Sequence, residues 1–206
     1  GGSEGPSLSA DGRYVAFAAA DGAGVKNVYV RDLAAGVTQL VSARLDGSPA
    51  TKNCTNPFIS GDGKTVVFNS ADPLLVSETV PADIQQVYLR DLTQNETILV
   101  TMKAAGAAAS ANSYRASLSG DGRFVAFVSD DAGLVANDTN NAPDVFVYDR
   151  NGVISRVSIS TGGAQSLGND IRDSRPVLSS DGRYVAAVPD DVPQALGAAG
   201  GDAHPG

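Results

Sequence analysis

The chain has 206 residues, 42% of them hydrophobic, 6% aromatic and 18% charged, with a formal net charge of −8. It is long enough for one domain or a large part of a bigger one, and its acidity excludes the basic face that nucleic acid or an anionic membrane surface requires. No apolar run approaches the ~20 residues of a membrane helix, and one cysteine (Cys54) and one histidine (His204) leave no intrachain disulfide and no material for a His- or Cys-based catalytic or zinc centre.

Taken in chain order, the predicted elements repeat. The stretch Pro6 to Phe17 reads Pro-Ser-Leu-Ser-Ala-Asp-Gly-Arg-Tyr-Val-Ala-Phe. It is followed by an apolar strand Val28 to Leu33 and a closing segment Thr38 to Ser42. The second unit repeats this at Pro57 to Phe68, Val87 to Leu92 and Thr97 to Thr101. The third does so at Ala116 to Phe127, Val145 to Arg150 and Ser155 to Ser160. A fourth begins at Pro176 to Ala187 and leaves the pattern at Pro189.

Within each unit, Ser-x-Asp-Gly between two apolar runs marks a hairpin, because Gly accepts positive φ and Asp bonds back to the turn backbone. A second tight turn follows Asp32, Asp91 and Asp149. Each unit is therefore predicted as four short antiparallel strands, a to d. Strand b is apolar on both faces, with Val15 and Phe17 on one and Tyr14 and Ala16 on the other. A sheet with one wet face alternates polar and apolar, so each sheet is predicted to lie between neighbours like itself. Stacked four-stranded sheets at this period describe a β-propeller. The expected fold is all-β, with about three and a half blades. Blade 1 and its loop are expected over 1–56, blade 2 over 57–115, blade 3 over 116–175, half of blade 4 over 176–188 and a Gly/Ala/Pro-rich tail over 189–206. Such a piece belongs to a larger ring, or another chain completes it.

These units resemble the TolB-like propeller repeat, a relative of the WD-type repeat. Its signature is Ser-x-Asp-Gly-(Arg/Lys)-x-(Val/Ile)-Ala-Phe followed by an Asp-(Val/Ile)-(Tyr/Phe)-Val-x-Asp strand. The third unit, with Leu134 to Asn140, Asp144 to Arg150 and Arg156-Val157-Ser158, is similar to a bacterial extracytoplasmic branch. The resemblance covers about residues 6 to 188. It implies a periplasmic, secreted or surface location. It is specific for fold and says little of function, since propellers host unrelated activities.

The b–c and d–a loops of such a repeat gather at one rim, and here they are the long ones: 69–86 and 129–144, and 43–56, 102–115 and 161–175. Loops of this length usually carry function. In Asp138-Thr139-Asn140-Asn141-Ala142-Pro143-Asp144, alternating oxygen donors closed by a carboxylate suit Ca²⁺. Asp138, Asn140 and Asp144 are the candidate ligands, against an Asx-turn network in which they bond their own loop. Unit two has Gln86 and unit one Asn27 where Asp144 stands. Arg115, Arg175 and Asn56, at d–a loop ends, are candidates for contact with a partner. Arg31 and Arg90 share one strand position, and Cys54 reads as packed rather than reactive. The expected function is a non-catalytic module recognising a protein or glycan through its rim. Its rivals are a subunit that self-assembles through open blade edges, and the propeller part of a larger hydrolase or lyase using carboxylates such as Asp130 and Asp131.

Overall fold

Proline shapes the start of each sheet. Pro6 and Pro57 have no N–H to give a strand ladder, yet pairing does not begin after them. In the computed structural model, which describes residues 2–160, 162–165 and 175–187, strand β1 is Ser3–Leu8 and β5 is Cys54–Ile59. Both run through the proline by means of a bulge, between Glu4 and Ser7 and between Thr55 and Phe58. The bulged residue takes positive φ: Gly5 at 61° and Asn56 at 53°. Strand β9, Ser113–Leu118, has the same break with Arg115 at 56°. The inner strands thus begin about three residues before the predicted starts, and the boundaries at 56/57 and 115/116 fall inside strands. The tail 189–206, with His204, lies outside the described residues.

Three four-stranded antiparallel sheets follow one another, each in simple sequential order. Blade 1 adds β2 (Tyr14–Ala20), β3 (Lys26–Asp32) and β4 (Val37–Leu40) to β1. Blade 2 adds β6 (Thr65–Ser70), β7 (Gln86–Asp91) and β8 (Glu96–Leu99) to β5. Blade 3 adds β10 (Phe124–Ser129), β11 (Asp144–Asp149) and β12 (Val153–Arg156) to β9. A hairpin of β13 (Val177–Leu178) and β14 (Val185–Ala186) makes the inner half of a fourth. The a strands of successive blades touch one another and define the inner side.

The two-faced apolar pattern has the predicted outcome. Ala16, Ala18, Val28 and Val30 of blade 1 pack into one cluster with Ile59, Val66, Phe68 and Tyr88 of blade 2. Val67, Val87 and Leu89 of blade 2 pack with Val125, Phe127 and Phe146 of blade 3. Ala126, Val128, Val145 and Val147 of blade 3 pack with Leu178, Val185 and Ala187. At the first two seams the aliphatic side chains of one sheet meet the aromatic rings of the next. The ring pairs Phe68–Tyr88 and Phe127–Phe146 are fully buried in these seams. Removing each such ring from water is worth about 1.5–3 kcal/mol.

At the a–b turns the blades are stitched by backbone. Ala10 N–H donates to Gly61 O (2.8 Å), Asp62 N–H to Gly120 O (3.0 Å) and Gly120 N–H to Ser180 O (2.8 Å). This approach is close enough that a Cβ on Gly120 would stand 3.0 Å from the Ser180 carbonyl. With a–b and c–d turns at this end, the b–c and d–a loops lie at the opposite rim.

Candidate functional site

The rim loops are held from below by a carboxylate just past strand b. In blade 2, Asp72 is fully buried. Its Oδ2 accepts from the Thr51 N–H (2.6 Å) and from Arg44 (Nη2 2.8 Å, Nε 3.1 Å), both on the preceding d–a loop. Its Oδ1 accepts from the Leu74 N–H (3.0 Å) and caps the short 3-10 helix Pro73–Leu75. Blade 3 repeats the device. Asp131 accepts from the Ser110 N–H and hydroxyl, from Lys103 (3.0 Å) and from the Gly133 N–H (2.7 Å). Burial opposes ionisation of both groups, but these donors outweigh it and hold both carboxyls below the usual carboxylate range. One buried charge therefore ties the d–a loop of one blade to the b–c loop of the next. The signal was present in the sequence as Ser70-Ala71-Asp72 and Ser129-Asp130-Asp131, but Asp at the end of an apolar strand reads there as a turn residue. Asp130, its neighbour, instead accepts from the Tyr114 hydroxyl (2.7 Å), so Asp130 and Asp131 serve different partners.

The structure does bring Asp138, Asn140 and Asp144 together. Asn140 Nδ2 donates to Asp144 Oδ2 (2.9 Å), while Asn140 Oδ1 accepts from the Ala142 N–H (3.1 Å). The cation they meet is Arg156. Its Nη1 lies 2.9 Å from Asp138 Oδ1, not aligned as a hydrogen bond, and 3.7 Å from Asp144 Oδ2. The two aspartate side chains are 1% and 0% exposed. Burial, and then the Asp144 charge, push the Asp138 carboxyl above its ordinary range against the pull of Arg156. A Ca²⁺ ion here has to displace that guanidinium. Among the described residues no three His, Cys, Asp or Glu side chains gather as a metal group.

Comparison of the blades explains this cluster. In each of the three four-stranded blades a residue at the rim end of strand c (Asn27, Gln86 or Asp144) meets a hydroxyl two residues past strand d. Ser42 donates to Asn27 Oδ1 (2.7 Å), Thr101 to Gln86 Oε1 (2.5 Å) and Ser158 to Asp144 Oδ1. In blades 1 and 2 the amide also donates, to Ala50 O (3.2 Å) and Ala109 O (3.0 Å). The Asp144 side chain has no N–H to give and carries a charge. The residue paired with the next-but-one position of strand c is Leu40 in blade 1, Leu99 in blade 2 and Arg156 in blade 3. The carboxylate and the arginine appear in the same blade and answer each other.

The other candidates separate. Asn56 and Arg115 sit at equivalent bulges of β5 and β9, near the rim end of the inner strands. Arg175 holds the corresponding place before Pro176, with its guanidinium 5.9 Å from the Phe58 ring centroid. Burial, reinforced by the charge of Arg115, lowers the Arg175 pKa. The structure thus gathers Arg115 and Arg175, while Asn56 is exposed one blade away. Arg31 and Arg90 each donate to a threonine on the d strand of their own blade, Thr38 (3.1 Å) and Thr97 (2.9 Å). Cys54 is fully buried, and burial pushes its thiol up to about 11, which disfavours the thiolate at neutral pH.

No protein-family model matches this sequence, and no curated protein matches it either. Its structure is similar to TolB from Acinetobacter baumannii, with a TM-score of 0.55 at 20% identity over 90% of this chain and 37% of that one. It is also similar to a TolB-type protein from Agrobacterium tumefaciens, with a TM-score of 0.51 at 19% identity over 75% of this chain and 48% of that one. A prolyl endopeptidase gives a TM-score of 0.53 at 12% identity over 89% of this chain and 25% of that one. The fold is therefore that of a TolB-like β-propeller. The chain spans less than half the length of either TolB-type structure.

Proposed function

We propose that this chain is the blade array of a non-catalytic, extracytoplasmic propeller module that recognises a protein partner through the rim of b–c and d–a loops. The reading rests on one observation: two long rim loops are held to the next blade by the buried carboxylates of Asp72 and Asp131. Loops ordered before binding lose less entropy when a partner docks. The likeness to TolB supports the fold on which such a rim is built.

The test is site-specific photocrosslinking in the native host. A photoreactive residue at Leu45, 69% exposed on the rim, is compared with one at Leu33, 56% exposed at the opposite end. Adducts of defined mass from position 45 and none from 33 are expected. Equal adducts from both positions, or none from 45, overturn the proposal.

A further inference from the structure

Arg90 is a buried cation that forms no ion pair among the described residues. It is 7% exposed. Its Nη1 donates to Thr97 Oγ1 (2.9 Å) and its Nη2 to Asn95 Oδ1, both neutral acceptors on its own blade. Its Nε is buried without a hydrogen-bond partner, and no carboxylate of the described residues forms an ion pair with it. Removing a guanidinium from water without a counter-charge is costly.

The adjacent carboxylate is committed elsewhere. In blades 1 and 3 the strand-c aspartate pairs with the arginine of its own a–b turn, Arg13 with Asp32 and Arg123 with Asp149, each at 2.8 Å. Blade 2 has Lys64 at that place, and it turns to Asp62 instead (3.8 Å). Asp91 is taken by Arg150 of blade 3 (2.7 Å). The counterparts of Arg90 avoid the problem. Arg31 is only half-buried, and Tyr148 carries no charge.

Arg90 also lines a cavity of about 560 Å³ at the seam of blades 1 and 2, bounded by Gln39 and Leu40 of β4 and by the rim loops at Arg44 and Ser77. That volume is within the range of small-molecule sites. Arg44 in its wall is neutralised by Asp72. Glu78 and Glu96 are also among its lining residues, but Glu78 stands in the exposed loop above and the Glu96 side chain alternates to the face of β8 opposite Thr97. We infer that this seam cavity binds a carboxylate-bearing ligand, whose anionic group completes the guanidinium of Arg90.

The inference stands without the rim reading, because small carboxylates test it with no protein partner present. Two pairs of probes set a carboxylate against a neutral polar group on the same skeleton: D-glucuronate against D-glucose, and N-acetyl-glutamate amide against N-acetyl-glutamine amide. The first pair reports a sugar acid and the second an acidic side chain. The readout is the Arg90 Nε–Hε NMR signal of the wild-type chain, with affinity from the same titration. At least one carboxylate is expected to shift the signal while its neutral match does not. Arg90→Met is expected to weaken binding roughly tenfold or more, as loss of a charge-assisted pair does, while Arg31→Met leaves it unchanged. A silent Arg90 signal with both carboxylates, equal binding of the neutral matches, or full binding by a folded Arg90→Met chain overturns the inference. Should Arg90→Met not fold, the wild-type signal decides alone.

Discussion

Arg150 Nη2 of blade 3 lies 2.7 Å from Asp91 Oδ2 of blade 2, an ion pair that crosses a blade seam and joins residues 59 apart in the chain. It exists because blade 2 carries Lys64 where its neighbours carry Arg13 and Arg123. The shorter, unforked lysine leaves Asp91 to be claimed from the next blade.

Asp91→Asn is expected to destabilise the chain by about 2–4 kcal/mol, since it strands a partly buried arginine beside a lost charge. Arg150→Leu, which restores the residue type of Leu33 and Leu92, leaves Asp91 its bonds from Thr93 and Gln94 and costs less. Urea unfolding of both variants checks the order. A larger loss for Arg150→Leu contradicts it.

Gly120→Ala is expected to cost about 1–3 kcal/mol by overpacking. The new Cβ meets the Ser180 carbonyl at 3.0 Å in the backbone stitch between blades 3 and 4. Gly106→Ala, with open space around it but φ at +83°, separates steric crowding from backbone strain. Thermal unfolding of the two variants, with amide exchange at Gly120 and Ser180, reports whether the seam opens.

Acid sensitivity follows from Asp72, Asp91 and Asp131. Burial raises each carboxyl, yet the donors around it win and each titrates below its ordinary value. A carboxyl whose folded pKa is depressed contributes stability that is complete above the unfolded value of about 3.9 and is lost as pH falls toward the folded one. The contribution of these three groups is therefore expected to be flat from neutrality down to about pH 5 and to fall steeply below pH 4. Asp72→Asn is expected to flatten part of that fall and to expose the 43–51 loop to proteolysis at neutral pH.

The Asp144–Arg156 pair predicts a coupled substitution. Arg156→Leu alone leaves Asp138 and Asp144 buried without a cation and is expected to cost about 3–5 kcal/mol. Adding Asp144→Gln rebuilds the amide and leucine of blade 2 and is expected to recover much of that loss. Additive losses in the double-mutant cycle refute the coupling. Millimolar Ca²⁺ is expected to leave the Tm of the wild-type chain unchanged while Arg156 holds the site, and to raise that of Arg156→Leu.

The sequence by itself determined the architecture. The repeated Ser-x-Asp-Gly turns set the hairpins, and strands such as Tyr14 to Phe17, apolar on both faces, can be buried only between sheets like themselves. Local chemistry was enough because turn geometry and side-chain alternation depend on neighbours in the chain. The sheet starts were not legible, because a bulge lets β5 pass through Pro57. The tertiary structure alone decided which charges meet. Asp138 and Asp144 look like metal ligands in the linear text, and the fold brings Arg156 to both of them. Asp72 looks like a turn residue, but it reaches a loop 21 residues earlier. Arg90 looks like its counterpart Arg31, but in the folded chain it is buried where Arg31 is only half-buried. A charge is defined by its surroundings, and those come from neighbouring blades whose distance in sequence conceals them.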